Sequence, residues 1–354
     1  MRPRLPAFGI IFIAIACGGG SNAVVGTRPL PTGPAPADTA NVTVATGSPG
    51  QEIPADFLGF SFEIDALRDT QLTNPQYATA AALLGPGIVR FGGNSVDMSS
   101  WSPNPPAGDD SDLTGADFDR GFTFAHHANW TMYLGINLAA FAPDTFAAEA
   151  GYAANRSGAP GVLTAIEIGN EPDVYSGNYR SSAYDGDSVA SEYLAYDTAL
   201  TRLAPGVPRV GPAMCCKPED LVPFLSDGGS RGLALLTYHH YPTDAVNHPT
   251  PGGLLSPGLM AKTAALLQLI MGDAQAASLP LRMAESNSSS GGGEHGTSDV
   301  FASSLWGLDY MYTLAEHGVV GVNFHGAPDG GIYSPLIDSG GVVARPLFYA
   351  MLAF

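Results

Sequence analysis

Short, largely apolar runs alternate with longer amphipathic stretches along the chain from about residue 41 to its end. The apolar runs are typical of strands buried on both faces, and the amphipathic stretches are typical of helices that cover a sheet. The predicted strands are 57–63, 87–94, 131–138, 163–171, 209–213, 233–239, 281–285 and 319–324. The predicted helices are 76–84, 118–129, 144–154, 189–203, 218–225, 259–277, 298–316 and 345–354.

Eight strand–helix units therefore follow one another in this part of the chain. Strands that alternate with helices pair in parallel, and eight such units close into a (β/α)8 TIM barrel of ordinary size. An open, doubly wound sheet is the competing arrangement, but no glycine-rich phosphate-binding fingerprint follows the first strand. We predict an α/β protein with one TIM-barrel domain at 41–354.

The first 40 residues have the pattern of a targeting segment followed by a flexible linker rather than of a folded domain. Two arginines precede an apolar run, 5–16, that is too short to span a bilayer. Small residues then lead to Cys17 and to a linker rich in Gly, Pro, Ser and Thr at 18–40. The segment 1–17 resembles a bacterial lipoprotein signal peptide, with Cys17 as the lipidated residue. We expect an exported, lipid-anchored protein of the cell envelope; a plain cleaved signal, giving a periplasmic or secreted protein, is the alternative.

The overall charge of the chain limits which kinds of binding partner it can have. The 354 residues include 33 Asp and Glu against 15 Lys and Arg, which gives a formal net charge of −18. Because nucleic-acid binding needs basic surface to neutralise phosphates, we exclude nucleic acid as a partner. Three cysteines do not make a disulfide framework. Cys215 and Cys216 are adjacent, and since a bond between neighbours is strained we expect two thiols there.

Polar residues recur where the predicted strands end, and the active sites of TIM barrels lie at these carboxyl ends. Glu171 ends strand four and Glu285 ends strand seven. Two carboxyl groups that face each other across a cleft are the smallest set of side chains that can cleave a glycosidic bond. One supplies a proton, and the other stays ionised and attacks the anomeric carbon or activates water. Further polar residues at or near strand ends are Glu63, Arg90, Asn94, Asp97, Asn170, His239, Asn323 and His325.

Each of the two glutamates also has a plain structural explanation. Glu171 precedes a proline and fits a turn carboxylate, whereas Glu285 opens a loop rich in Ser and Gly. Because both glutamates lie at strand ends, a catalytic role is favoured over these structural explanations. Glu167 would lie roughly 13 Å below the rim, and we expect Glu294 to be solvated in its glycine loop. The acidic residues that compete for the same roles are Glu63, Glu167, Glu294 and Asp173.

Several motifs resemble those of known glycosidases. The segment 168–173, IGNEPD, resembles the acid/base signature of the clan of retaining glycosidases built on this barrel. The segments 89–95, VRFGGNS, and 238–241, YHHY, resemble strands two and six of glycoside hydrolase family 79, the β-glucuronidase and heparanase family. The segment 283–292, a Glu followed by a Ser/Gly run, resembles the nucleophile segment of that family, and 298–309 resembles its seventh helix.

The resemblance implies roles for individual residues. Glu171 would be the acid/base and Glu285 the nucleophile of a double displacement with retention. Asn170 would bind the sugar 2-hydroxyl, and Asp97 would hold other sugar hydroxyls. Tyr241 would hydrogen-bond to Glu285.

Further roles follow from the same resemblance. Arg90 would lower the pKa of Glu285 by its charge. A uronate carboxylate would be met by backbone amides and a tyrosine in the loop after strand eight, where Gly331 and Tyr333 stand. The remaining substrate-binding candidates on this rim are Asn94, Glu63 and His239.

Adjacent histidines near acidic residues also raise the question of a metal. His239 and His240 could ligate zinc, but neighbours on a strand point to opposite faces, so only one can face the cleft. His325 is expected to line the cleft. We predict neither a metal nor another cofactor.

The resemblance further implies a β-sandwich after the barrel, to which 41–44 would add a strand. The chain ends at Phe354, where the eighth helix is expected to end. Either the reading frame is truncated or the sandwich is lost, and if it is lost we expect apolar surface to be exposed on the flank of the barrel.

Taken together, the sequence predicts a retaining β-glucuronidase that acts on an oligosaccharide or glucuronide substrate. One alternative is an exo-glycosidase of the same clan that acts on a neutral sugar. Another, of a different class, is a non-catalytic carbohydrate-binding lipoprotein of the cell surface.

Overall fold

The computed structural model describes residue 47 and residues 50–105, 112–158 and 161–354. The predicted signal peptide at 1–17, the lipidation at Cys17, the linker at 18–40 and the strand at 41–44 lie outside the described residues.

Eight parallel strands close into a barrel in chain order, with the last strand pairing back onto the first. Each is short and almost wholly buried, as strands covered on both faces must be. The strands are β1 (Leu58–Glu63), β2 (Ile88–Gly92), β3 (Thr131–Ile136), β4 (Leu163–Ile168), β5 (Arg209–Met214), β6 (Leu233–His240), β7 (Leu281–Ser286) and β8 (Val322–Gly326).

Helices follow the strands in alternation, which confirms the predicted (β/α)8 TIM barrel. A short two-stranded hairpin that the sequence pattern did not predict follows β8. The helices are α1 (Pro75–Ala82), α2 (Gly115–Ala128), α3 (Pro143–Ser157), α4 (Gly186–Leu203), α5 (Leu221–Ser226), α6 (Pro251–Leu254), α7 (Pro257–Ala276), α8 (Phe301–Glu316) and α9 (Pro346–Ala353). The hairpin strands are β9 (Leu336–Asp338) and β10 (Val342–Ala344).

Several of the larger differences from the predicted boundaries lie at helix starts, where capping rather than hydrophobic periodicity decides. Helix α2 begins at Gly115, three residues before the predicted 118, because Thr114 and Asp117 form a capping box. Helix α4 begins at Gly186, since the side chain of Asp185 accepts a hydrogen bond from the amide of Ser188.

Apolar side chains fill the barrel at the end opposite the polar rim. Most buried hydrophobic residues pack in the layer between the strands and the surrounding helices. A smaller cluster is contributed by five consecutive strands, β2 to β6: Ile88, Tyr133, Ala165, Val210 and Leu235. All five lie in the first half of their strands, so the amino-terminal end of the barrel is packed and the carboxyl end is left for chemistry.

One flank of the barrel presents apolar side chains to solvent. They belong to α8 and α9, which pack against each other, and are Phe301, Leu305, Tyr312, Tyr349 and Leu352. Among the described residues there is no helix that combines the length and hydrophobicity needed to cross a bilayer.

Arg282 on β7 ties together the strands that close the barrel. It is fully buried, and its guanidinium donates to Oδ1 of Asn323 at 2.6 Å and to the carbonyls of Asp56 and Phe57. Asn323 in turn donates to the carbonyls of Phe60 and Ile88. The prediction of Asn323 as a rim residue is therefore wrong, because it is the second residue of β8 and bonds inside the barrel.

We expect Arg282→Met to lower the free energy of unfolding by about 3 kcal/mol, because three acceptors, two of them buried, would lose their donor. Urea denaturation of the two proteins measures this loss. The matched control is Arg202→Met, which breaks the exposed pair of Arg202 with Asp144 and should cost less than about 1 kcal/mol. Equal losses in the two variants would show that Arg282 does not hold the barrel closed.

Candidate active site

The carboxyl ends of the strands surround a cleft of about 700 Å³. This volume suits a small ligand rather than an extended polymer. The predicted site residues that line it are Glu63, Asn94, Glu171, His239, Tyr241, Glu285 and Tyr333. The other four predicted site residues, Arg90, Asp97, Asn170 and Gly331, do not line it.

A sharp turn after β4 brings Glu171 into the cleft. Gly169 has φ of 74°, and a Cβ at this position would lie 2.6 Å from the Cβ of Leu138, so glycine is required. Glu171 itself is left-handed, with φ 50° and ψ 51°, and its amide donates to the carbonyl of Ala213 at 2.9 Å. Non-glycine residues rarely adopt this conformation, and such strain is concentrated at functional sites.

Glu171 and Glu285 meet across the cleft although they come from β4 and β7. One carboxylate oxygen of each, together with one ring nitrogen of His239, lie within 4.8 Å of one another. His239 Nδ1 is 3.0 Å from Glu171 Oε1 and 4.0 Å from Glu285 Oε2. Carboxyl groups about 5–5.5 Å apart are typical of retaining glycosidases, whereas about 6.5–9.5 Å leaves room for the water of an inverting enzyme. The observed spacing fits the retaining arrangement.

Glu285 is buried and surrounded by groups that stabilise its charged form. Arg90 Nη1 donates to Oε2 at 2.6 Å, and the hydroxyl of Tyr241 donates to Oε1 at 2.8 Å. His325 Nδ1 lies 3.6 Å from Oε2. Burial alone would raise the pKa of Glu285, but His325, His239, Arg90 and the Tyr241 hydrogen bond together hold it well below its usual range.

Arg90 is held by a second carboxylate deeper in the barrel. Its Nε donates to Glu167 Oε2 at 2.5 Å, and both side chains are fully buried. Burial lowers the pKa of Arg90, but Glu167 and Glu285 outweigh it and raise the pKa above its usual value. Glu167 thus lies below the cleft, as its place in β4 predicts, but sequence reasoning missed its contact with Arg90.

Ser61 is a further site residue that sequence reasoning missed. Its hydroxyl accepts from Arg90 Nη1 at 3.1 Å and lies 3.1 Å from His325 Nδ1. A serine in the otherwise apolar run of β1 is the signal that could have indicated a polar partner inside the barrel.

Asn170 is oriented by its neighbours before any ligand binds. Its Oδ1 accepts from Arg90 Nη2 at 3.0 Å, and its Nδ2 donates to Asn94 Oδ1 at 3.2 Å. Asn94 is exposed and lines the cleft, while Asn170 is almost fully buried.

The structure contradicts the predicted role of Asp97 as a ligand of sugar hydroxyls. Asp97 is buried outside the cleft lining, and its carboxylate accepts from the backbone amides of Leu138, Ala139 and Asn170. Burial raises its pKa to about 6, although the hydrogen bonds from these amides oppose the shift. Asp97 therefore positions the turn that carries Asn170.

Glu63 is partly committed to holding the chain after β2. Its carboxylate accepts from the amide of Asn94 at 3.2 Å and from the amide and hydroxyl of Ser95 at 2.7 and 2.6 Å. Gly93 permits this approach, since a Cβ there would lie 2.5 Å from the carboxyl carbon of Glu63. The side chain still reaches the cleft, 3.7 Å from His325 Nε2.

The loop after β8 contributes Tyr333 but not Gly331. Tyr333 lines the cleft, and its ring lies 6.4 Å from that of Tyr241. Gly331 is exposed outside the lining, and its carbonyl accepts from Arg345. The glycines that do line this part of the cleft, Gly291 and Gly292, come from the loop after β7.

The two adjacent histidines contact different partners, although both line the cleft, so the expectation that only one faces it is wrong. His239 faces Glu171, whereas His240 Nε2 lies 3.1 Å from the hydroxyl of Thr263 on α7. By distance alone, Glu171, His239 and Glu285 could surround a metal ion. However, Glu285 is already engaged by Arg90 and Tyr241, so the cation that balances its charge is a guanidinium.

The expectation of two thiols at the end of β5 is wrong. Cys215 and Cys216 form a disulfide, and both residues line the cleft. Asp173, which competed with Glu171 as a catalytic candidate, instead accepts from the backbone amides of Cys215, Cys216 and Lys217. No pattern in the sequence indicates this contact, because it joins the loops after β4 and β5.

Comparison with known proteins gives structural relatives only. No protein-family model matches the chain, and no curated protein sequence matches it. A solved structure of 4-O-α-L-rhamnosyl-β-D-glucuronidase from Fusarium oxysporum 12S, in complex with Rha-GlcA, is 21% identical with a TM-score of 0.73. The match covers 86% of this chain and 69% of that one.

Two further solved structures show the same fold. The GH51 arabinofuranosidase from Xanthomonas axonopodis pv. citri is 14% identical with a TM-score of 0.64, over 87% of this chain and 74% of that one. A monomeric β-xylosidase from Caulobacter crescentus CB15 is 14% identical with a TM-score of 0.59, over 86% and 68%. The chain therefore has the TIM-barrel fold on which these glycoside hydrolases are built.

We expect Arg90→Met to lower the free energy of unfolding at pH 7 by about 3–5 kcal/mol, because Glu167 and Glu285 would stay buried without their cation. In the wild type the depressed pKa of Glu285 stabilises the fold above its unfolded value of about 4.3, and this contribution is lost as the pH falls through the folded pKa. In the variant, the pKa of Glu285 is higher than in the wild type, because one of the charges that oppose the effect of burial is lost. The stability gap should therefore narrow between pH 7 and pH 5.

Urea denaturation at the two pH values measures this gap. The matched control is the double variant Glu167→Gln/Arg90→Met, in which one of the orphaned carboxylates is removed. It should be more stable at pH 7 than Arg90→Met alone, as expected for coupled residues. If the difference in unfolding free energy between wild type and Arg90→Met is the same at both pH values, the assigned contact between Arg90 and Glu285 is contradicted.

Proposed function

We propose that this protein is a retaining glycoside hydrolase. The observation that carries the proposal is the approach of Glu171 and Glu285, whose carboxylate oxygens lie within 4.8 Å in a cleft large enough for a sugar ring. The TIM-barrel glycosidases with the same fold support it. A non-catalytic binding protein would have no need to hold a buried carboxylate ionised at this position.

The environments of the two glutamates support different roles for them in this proposal. Glu285 is held ionised and is the nucleophile, whose oxygen forms a bond to the anomeric carbon. Glu171 gives its proton to the glycosidic oxygen as the carbon–oxygen bond of the leaving group breaks. In the second step Glu171 takes a proton from water, the water oxygen bonds to the anomeric carbon, and the ester to Glu285 breaks.

Asn170 supplies differential binding in this reaction. Its Nδ2 lies near the cleft beside Asn94, and Arg90 fixes the amide orientation. A hydrogen bond to the sugar 2-hydroxyl strengthens as positive charge develops on the ring, so it lowers the barrier more than it tightens ground-state binding.

We further propose that the sugar is a β-linked glucuronic acid. Tyr333 and His325 lie together on one side of the cleft, with ring centroids 6.1 Å apart. Burial raises the pKa of Tyr333, so its phenol keeps its proton and can donate to a carboxylate. Burial lowers the pKa of His325, but Glu285 and Glu63 outweigh it and raise the pKa, which favours the imidazolium. The Fusarium glucuronidase with this fold supports the choice of sugar.

A neutral sugar is the second candidate. Among the described residues that line the cleft there is no arginine or lysine, so a uronate would be met by hydroxyl, imidazole and backbone groups alone. The arabinofuranosidase and the β-xylosidase with this fold also support this alternative.

We expect Glu171→Gln and Glu285→Gln each to lower turnover of a chromogenic glycoside by about 10³-fold or more, because each removes an essential acid, base or nucleophile. Added azide should restore turnover in Glu171→Gln as a β-glycosyl azide, since an anion can attack the glycosyl-enzyme without a base. The matched control is Glu294→Gln, outside the cleft lining, which should keep activity within about threefold. Unchanged turnover in either catalytic variant would rule out the mechanism.

Specificity is tested with aryl glycosides of glucuronic acid, glucose, galactose and xylose. We expect the glucuronide to be preferred, and Tyr333→Phe to lower its kcat/KM about 10-fold or more, because a donor to a charged group is lost. The same change should affect the glucoside less than about threefold. Tyr312→Phe, at an exposed tyrosine of α8, is the matched control. Turnover of a neutral glycoside with none of the glucuronide would establish the second candidate instead.

A further inference from the structure

A disulfide between neighbouring residues forms part of the cleft wall. Cys215 and Cys216 follow the last residue of β5, and Cys216 is exposed. Both line the same cleft as Glu171 and Glu285. The bond therefore lies in the wall of the cleft rather than in the core.

A buried aspartate fixes the backbone of this pair. The carboxylate of Asp173, itself almost fully buried, accepts from the amides of Cys215 at 3.2 Å, Cys216 at 2.7 Å and Lys217 at 2.8 Å. Three amides that donate to one carboxylate fix the backbone of this segment. Asp173 lies two residues after Glu171, so the same short turn positions both the acid/base and the disulfide.

Stabilisation by cross-linking does not explain the bond. A disulfide stabilises a fold chiefly by closing a loop in the unfolded chain, and the gain grows with the number of residues enclosed. A bond between Cys215 and Cys216 encloses none. The bond does remove two S–H donors. The two sulfur atoms form a compact, polarisable surface without an N–H or O–H group. Such a surface suits the apolar face of a ligand.

The position around the barrel shows which part of a glycoside would reach this surface. In the closed order of eight strands, β5 lies opposite β1 and next to β4. The proposed uronate-binding side is built from β1 and β8, with Glu63, His325 and Tyr333. Glu171, at the end of β4, must face the glycosidic oxygen, so the group beyond that oxygen extends towards β5 and β6.

Resting on the proposed glycosidase function, we propose that the Cys215–Cys216 disulfide is an apolar platform for the leaving group of the substrate. The ligand chemistry is a ring with an apolar face, either the C–H face of a second sugar or an aromatic aglycone. Asp173 is the positioning residue of this platform. Export of the chain would favour the bond, since disulfides persist in oxidising compartments.

The test compares three substrates that share the sugar which the wild type hydrolyses best: the methyl glycoside, the 4-nitrophenyl glycoside and a disaccharide. In Cys215→Ser/Cys216→Ser, we expect the kcat/KM ratio of a ring-bearing substrate to the methyl glycoside to fall about tenfold. A fall for the disaccharide identifies a sugar ring as the natural occupant, and a fall for the nitrophenyl substrate alone identifies an aryl group. Asp173→Asn should lower the same ratio.

Chemical reduction provides a second readout that does not depend on folding of a variant. Reduction of wild-type protein by a phosphine, verified as a gain of about 2 Da for the two added hydrogens, should lower the ratio in the same direction. The matched control is the same treatment of Cys215→Ser/Cys216→Ser, which retains only Cys17 and should not respond.

The outcomes separate the platform from the proposed function. An unchanged ratio in the variant and in the reduced protein would overturn the platform while the glycosidase stands. An equal loss of kcat/KM on all three substrates would also overturn it, since the pair would then support the whole site. Absence of turnover by the wild type on every glycoside would overturn the proposed function and, with it, the platform.

Discussion

The burial of an ionised carboxylate is the constraint on which the site depends. Glu285 is enclosed by protein, and an isolated carboxylate there would take up a proton rather than remain ionised. Arg90 balances its charge, but a guanidinium brought into a barrel interior is also costly unless its donors are used. The guanidinium donates to Glu167, Ser61 and Asn170. This explains why the carboxylate of Glu167 lies deeper in the barrel than that of Glu285.

The backbone around this network is shaped by residues that leave space. A Cβ on Gly92 would lie 2.7 Å from the guanidinium carbon of Arg90, and one on Gly93 would meet the carboxyl group of Glu63. Gly169 and the left-handed Glu171 turn the chain over the rim after β4. The site is therefore assembled where the backbone deviates from regular structure, and the regular strands supply the rigid frame that sustains this strain.

Apolar runs and helical periodicity were sufficient to predict the barrel, because each strand is buried on both faces and each helix covers the sheet. Motifs at strand ends led to Glu171 and Glu285. The contacts of Glu167, Asp97 and Asp173 could not be predicted, since each joins segments distant in sequence and an acidic residue in a motif has the same letter whether it binds sugar or backbone. Local patterns also did not reveal the Cys215–Cys216 bond, which general strain arguments disfavour.

The two carboxylates of the cleft differ in the way that a two-step displacement requires. The Glu285 side chain is 8% exposed and fixed by Arg90 and Tyr241, whereas that of Glu171 is 20% exposed and contacts His239. A nucleophile must keep one protonation state throughout, so many fixed partners suit it. An acid/base must lose and regain a proton in every cycle, and a side chain with one imidazole partner and access to water can do so without disturbing the buried charges. The asymmetry of the surroundings, rather than the identity of the residues, therefore distinguishes the two roles proposed for them.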